Sequence, residues 1–380
     1  MKNKNIILMC AIAFLQGMVF YSAVSTIYRQ TQGITLLEMG IIESVLSILI
    51  LILEVPWGMV CDRIGYKKTL IICNFIYLLS KIVFWRADSF MLFLCERILL
   101  AIVISGLSGC DSALIYVSTG KEEAAGVFGY YHASSTIGMM IASLMFSLFI
   151  KDDILKSGLW TIYPYALAFL LTFFLKDVKG KNDNITSFSK EGFSYCLKSL
   201  KKMFLFLIAA TLLTETTHTL GVFYNQLQYE QVGISVEWYG ILYTLMTLCT
   251  LVNGGVGKLI RKVHMKTLIT ILYGVVFIAC LILSVTLSPI LSVFGIALLQ
   301  ICEALYYPLL DTIMNMHAKV SRATILSVYS MIMNLGSVLT NLMFGKCADI
   351  TVSYAFILGC IFSIIGILLF RHWSKSHRVE

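Results

Sequence analysis

Glu215, His218 and Glu303 are ionisable side chains set inside otherwise apolar runs, at 203–228 for the first two and 289–316 for the third. Carboxylic acids and imidazole are the groups that most readily pass protons in proteins. Glu215 and His218 stand three positions apart, which puts both on one face of a helix. A set of this kind can carry a proton or hold a cationic solute. Ionisable groups held away from water cost free energy and are functional candidates by default. The competing reading is a hydrogen-bonded acid that serves packing.

Arg97, in the run 90–117, could bind an anionic solute, take part in coupling, or sit in a buried ion pair. Its neighbour Glu96 projects about 100° away around a helix, so it need not be the partner. Glu43, Lys81, His132 and Asp311 also fall inside apolar runs. Lys81 and His132 read as structural, with Lys81 able to neutralise a carboxylate on a neighbouring helix. Gln16, Tyr21, Asn225, Tyr306 and Asn334 are polar or aromatic groups that could line a cavity. The Met-rich stretch from Met314 to Met333 reads as adaptable packing.

These residues must be positioned by membrane helices. The chain is 58% hydrophobic and 13% charged, with a mean hydropathy of +0.85, which excludes an ordinary soluble globule. Its charged and polar punctuation cuts out runs at 6–28, 38–60, 69–87, 90–117, 125–149, 159–175, 203–228, 237–259, 267–287, 289–316, 323–345 and 353–371. Each is long enough to cross a hydrocarbon core of about 30 Å as a helix. The short loops between them leave no room for an extramembrane domain. The run after Lys2 and Lys4 is too long for a typical signal-peptide core and is expected to stay as the first helix.

Between the second and third runs lies Gly58-Met59-Val60-Cys61-Asp62-Arg63-Ile64-Gly65-Tyr66-Lys67-Lys68. Its three cations and Asp62 belong in water, since a charge at the bilayer centre costs on the order of 3 kcal/mol. Gly58 and Gly65 permit a tight reversal, and Asp62 falls where the second helix ends. This loop resembles the signature of the major facilitator superfamily, Gly-x-Leu-Ala-Asp-Arg-x-Gly-Arg-Lys. Gly58, Asp62, Arg63, Gly65 and Lys67 match it, Val60 and Cys61 replace Leu and Ala, and Tyr66 replaces an Arg. The resemblance implies that Asp62 faces the start of span eleven and locks one closure of the transporter. Phe93-x-x-x-Arg97-x-x-Leu100-Ala101 resembles the family's proton-coupling motif without its Gln and Gly. The blocks opening at Glu54 and surrounding Asp111 resemble a bacterial branch rich in drug exporters, and both acids, towards the cytoplasmic ends of their runs, are expected in the inner gate network and not in the substrate cavity.

The fold expected is an all-α integral membrane protein, with twelve transmembrane helices in two six-helix pseudo-repeats, the major facilitator fold. Residues 1–175 form the first bundle, 176–202 a linker with an interfacial helix at 190–202, and 203–380 the second bundle. The repeat is visible. Lys68-Thr69-Leu70-Ile71 recurs as Lys266-Thr267-Leu268-Ile269, and Gly138 as Gly336, at an offset of 198. Gly33-Ile34 and Gly40-Ile41 recur as Gly233-Ile234 and Gly240-Ile241. The second copy of the loop, Gly257-Lys258-Leu259-Ile260-Arg261-Lys262, lacks the Asp.

Most of the 29 Lys and Arg residues fall in the N-terminus, the even-to-odd connections and the C-terminus. The positive-inside rule then puts both termini in the cytoplasm of a cell-membrane protein. The net charge of +8 reports topology and does not call for a nucleic-acid partner. The 11 cysteines form no C-x-x-C pair and read as packing residues. No nucleotide-binding loop, metal-ligand cluster or nucleophile–base spacing stands out, so no enzyme, metal or cofactor is expected. The expected function is efflux of an amphiphilic small molecule by a monomer, as in multidrug resistance, coupled to protons as an antiporter with sodium left open. The alternatives are proton-coupled uptake of a polar nutrient or anionic metabolite, with Arg97 binding it, and a non-transporting receptor or assembly factor.

Overall fold

The computed structural model describes residues 4–119, 124–151, 153–176, 190–255, 263–317 and 322–376, and among them every regular element is helical. Among the described residues eleven helices are long and apolar enough to cross a membrane, and a shorter apolar helix at Val236–Val252 takes the place of the eighth span. Large apolar side chains such as Ile290 (80% exposed) and Val285 (77% exposed) face outward, as lipid contact requires.

The helices divide into two compact units. One comprises Met1–Glu38, Val45–Asp183 and Val236–Thr244, the other Met39–Ser44, Asn184–Ser235 and Leu245–Glu380. In the first unit, helices α1 (Lys4–Gly17), α2 (Ser25–Thr31), α3 (Leu36–Ile64), α4 (Tyr66–Arg86), α5 (Phe90–Thr119), α6 (Ala124–Met145) and α7 (Ile154–Thr172) follow in order. The second unit holds α8 (Lys190–His218), α9 (Asn225–Gln231), the end of α10 (Tyr239–Cys249) from Leu245 on, α11 (Met265–Val285), α12 (Pro289–His317), α13 (Arg322–Ile350) and α14 (Val352–Ser376).

The first helix of each half is broken, although its sequence reads as one continuous run. Span one stops at Gly17 and restarts at Ser25. Span seven passes from α8 through a π-helical turn at Thr219–Phe223 into α9. A break in hydrocarbon strands backbone groups that water cannot reach. In an unbroken helix Gln16 C=O would accept from Phe20 N–H. Here Tyr165 OH donates to Gln16 C=O at 2.6 Å and Phe20 N–H donates to Thr161 Oγ1 at 3.0 Å. Thr161 and Tyr165 are one turn apart on α7, so one face of that helix completes both halves of the missing bond.

The internal repeat reappears as geometry. α2 and α9 have equal length and end in the same Schellman cap. Ile34 N–H bonds Arg29 C=O and Gly33 N–H bonds Gln30 C=O. Ile234 and Gly233 do the same with Tyr229 and Glu230. Both glycines take the positive φ that this cap demands, +80° and +77°. Gly138 packs α6 onto α1, where a Cβ would meet the carbonyl of Phe14. Gly336 packs α13 onto Thr211 of α8. Lys67 Nζ donates to Phe173 C=O at the end of α7, and Lys266 Nζ donates to Ser374 C=O near the end of α14. Each places a cation at the negative end of a helix.

Two expectations change in detail. Gly58 lies inside α3, which continues to Ile64, so the reversal is made by Gly65 alone at φ +87°. Nothing before Gly65 interrupts the helix except Pro56, which a membrane helix tolerates. The segment 190–202 is no separate interfacial helix. It forms the first turns of α8, which runs unbroken to His218 because no Pro and no Gly after Gly192 interrupts it. The second loop copy, 256–262, lies outside the described residues.

Gly138→Val should lower stability by about 3 kcal/mol by overpacking, whereas Gly274→Ala, with nothing within 4 Å of the added Cβ, should be nearly neutral. Thermal unfolding of the two variants in detergent separates these outcomes.

Candidate functional site

Two polar clusters lie inside the helical units. In the second unit His218, on the last turn of α8, places Nδ1 3.1 Å from Oε1 of Glu303 on α12. One proton can be shared across this distance in either direction. Glu303 keeps 11% of its side-chain surface exposed and His218 45%, so the pair has an inner and an outer end. Glu215, one turn before His218, interacts electrostatically with both. Tyr307, one turn after Glu303 on α12, feels both carboxylates. The edge of the Phe223 ring stands against the imidazole at 5.4 Å, fixing it beside the π-helical turn. π-turns frequently mark functional positions. The three residues singled out from sequence therefore meet in one place.

The first unit gathers a different set. Lys81 on α4 is 4% exposed and donates to Tyr21 OH at 2.9 Å. Its ammonium also lies over the rings of Tyr77 and Tyr165 at 5.0 Å and of Tyr21 at 5.5 Å, an aromatic cage that replaces water around the charge. Gln16 Nε2 donates to Asn74 Oδ1 at 2.8 Å, and Asn74 Nδ2 donates to Leu70 C=O. Gln16 and Tyr21 thus belong to the polar network around the break in span one.

Arg97 pairs with Glu96 after all, Nη1 to Oε1 at 3.3 Å, with Glu96 fully buried. The long guanidinium arm reaches around the helix, so the angle between adjacent Cβ vectors does not decide the contact. Glu96 also attracts Lys81. Arg29, just beyond the end of the first apolar run and unselected for that reason, is 2% exposed. Its guanidinium lies over Phe84 at 5.6 Å and Phe93 at 6.0 Å. Tyr77, four positions before Lys81, carried the one local signal for the cage: an aromatic and a cation on one helix face.

The signature loop is positioned by helix ends. Lys67 is tied to the end of α7 as described, Arg63 is exposed, and the side chain of Asp62 is outside the described residues, as are 318–321 ahead of span eleven. Asp111 Oδ2 accepts from Tyr131 OH at 2.6 Å, joining α5 to α6. Glu54 is exposed on α3. Asn334 is half-buried on α13, where its carbonyl accepts from Ser337 Oγ. Among the described residues no group of three or more His, Cys, Asp or Glu is arranged to hold a metal ion.

The sequence profile of the Major Facilitator Superfamily matches residues 6–315, and the chain belongs to that superfamily. It is 23% identical over 378 residues to the uncharacterised transporter YxaM of Bacillus subtilis, covering 93% of this chain and 92% of that one. Two other curated relatives are matched over only 36% of their own length. One is the efflux pump azaK of Aspergillus niger, 26% identical over 182 residues and 43% of this chain. The crystal structure of the nucleoside transporter NupG superposes with a TM-score of 0.82 over 99% of this chain and 100% of that chain, at 15% identity. At that identity the likeness is one of fold. The chain is thus a multi-pass membrane protein of a superfamily of transporters.

Glu96→Gln should cost about 3 kcal/mol, because it leaves Arg97 and Lys81 buried without their shared carboxylate. Glu96→Gln with Arg97→Gln should recover part of that loss. A double-mutant cycle of thermal unfolding reads the difference, and additive losses would remove the pair as a stabilising unit.

Proposed function

We propose that this transporter exports amphiphilic small molecules in exchange for protons, working by alternating access, with Glu215, His218 and Glu303 as the proton-exchanging group. The contact between His218 and Glu303, with Glu215 one turn away, carries the reading. Three titratable groups on two facing helices can take a proton and hand it on, and solute and proton can compete for the same carboxylates. The likeness to the efflux pump azaK supports the direction. Both termini are assigned to the cytoplasmic side of the cell membrane from the Lys and Arg distribution, and the working form to a monomer. The signature loop gates the cycle through Asp62.

The first test uses proteoliposomes loaded with a pH-sensitive dye. Ethidium stands for the amphiphile and uridine for a polar nutrient. Antiport predicts proton movement opposite to ethidium. Protons entering together with uridine, and none with ethidium, would replace export with symport and move attention to Arg97.

Glu303→Gln and Glu215→Gln should each abolish accumulation driven by a pH gradient while leaving downhill flux, since the amide cannot give up a proton. A Gln variant that still concentrates ethidium against its gradient removes that acid from coupling. Asp62→Asn should slow turnover and leave ethidium binding largely intact, and unchanged turnover would end the gate assignment.

A further inference from the structure

Cys61 and Cys110 are free cysteines whose Sγ atoms lie 2.8 Å apart, 49 positions distant in the chain. Taken one at a time, both read as packing residues; the fold makes them a pair. Cys61 sits on the last turn of α3, directly before Asp62, and Cys110 on α5, directly before Asp111. Both are buried, 7% and 1% exposed. Cys110 Sγ also donates to the carbonyl of Tyr66, the first residue of α4. Gly106 keeps the three helices close, since a Cβ there would meet Cys73 Sγ of α4 and the Trp57 ring of α3. The sulfurs are within an ångström of a bonded S–S distance of about 2.05 Å. No helix needs to move far to join them.

We propose that Cys61 and Cys110 are a reversible oxidation site for small hydroperoxides, and that their disulfide ties α3 to α5 directly beneath the signature loop. One thiolate attacks the peroxide oxygen, forming a sulfenic acid and releasing the alcohol, or water from hydrogen peroxide. The second thiolate displaces hydroxide from that sulfur, and a proton carries it off as water. Two thiols are oxidised and one hydroperoxide is reduced. A dithiol reductant reverses the bond by exchange. Burial keeps large oxidants and bulky thiol reagents out, so the site admits only small peroxides. A bond here would hold the turn carrying Asp62 and Arg63 against the helix carrying Asp111, which is itself bound to Tyr131.

The test needs no transport substrate. Purified protein in liposomes is treated with hydrogen peroxide, quenched, unfolded, alkylated and digested for mass spectrometry. The expected result is a Cys61–Cys110 cross-linked peptide pair that dithiothreitol removes. Hydrogen exchange of the oxidised protein should slow across 58–66, and thermal unfolding should shift upward. Neither shift should occur in Cys61→Ala, which places the superfamily's usual residue at that position, or in Cys110→Ser. Full alkylation of both cysteines after peroxide would overturn the proposal. So would a cross-link that uses other cysteines, or unchanged exchange at 58–66 in cross-linked protein.

Discussion

The backbone hydrogen bond that span one does not make is the constraint on which the first unit depends. In hydrocarbon an orphaned carbonyl or amide costs several kcal/mol, so a helix can be interrupted only where neighbours supply partners. Thr161 and Tyr165 supply both, from one face of α7. Tyr165 then does a second job: its ring forms part of the wall around the Lys81 ammonium, which itself donates to Tyr21 beside the break. The interruption, the aromatic cage and the buried cation therefore stand or fall together. Span seven solves the same problem differently. Its π-helical turn keeps a bond from Tyr224 N–H to Thr219 C=O, and the surplus residue in the turn leaves His218 at the last α-helical position, against Glu303.

The two units separate their buried chemistry by sign. The first holds Arg97 and Lys81 near the carboxylate of Glu96 and Arg29 over Phe84 and Phe93, with five aromatic rings sharing the solvation of Arg29 and Lys81. Cation–π contacts of this kind are worth about 2 kcal/mol each when desolvated, enough to make buried charge tolerable but not free. The second holds Glu215 and Glu303 with a single imidazole. Cages and ion pairs hold a charge in place, whereas an acid–imidazole pair can move one. That difference is the reason the proposed exchange rests on the second cluster and not on the first.

Repetition supplies the scaffold. Small residues at Gly138 and Gly336 let helices approach without a hydrophobic drive, which lipid cannot provide. Lys67 and Lys266 fasten the third helix of each half to the end of the sixth. The halves have diverged where function would differ, at the two breaks and in the loop that keeps Asp62 in the first copy only.

What the sequence determined by itself was whatever depends on local composition and spacing. Apolar run length decided a membrane protein, Gly65 marked a reversal between two of its helices, and matched blocks 198–200 positions apart decided a two-fold repeat. The candidacy of Glu215, His218 and Glu303 was equally legible, because charge inside an apolar run is conspicuous. The tertiary structure alone decided which groups meet. Glu303 finds His218 across 85 positions, Cys61 finds Cys110 across 49, and Lys81 finds its cage from one ring on its own helix, one on α7 and one in the break of span one. The breaks in spans one and seven were invisible for the same reason. Neither run contains a proline to mark its break, and the side chains that complete the first break lie more than a hundred positions away on α7.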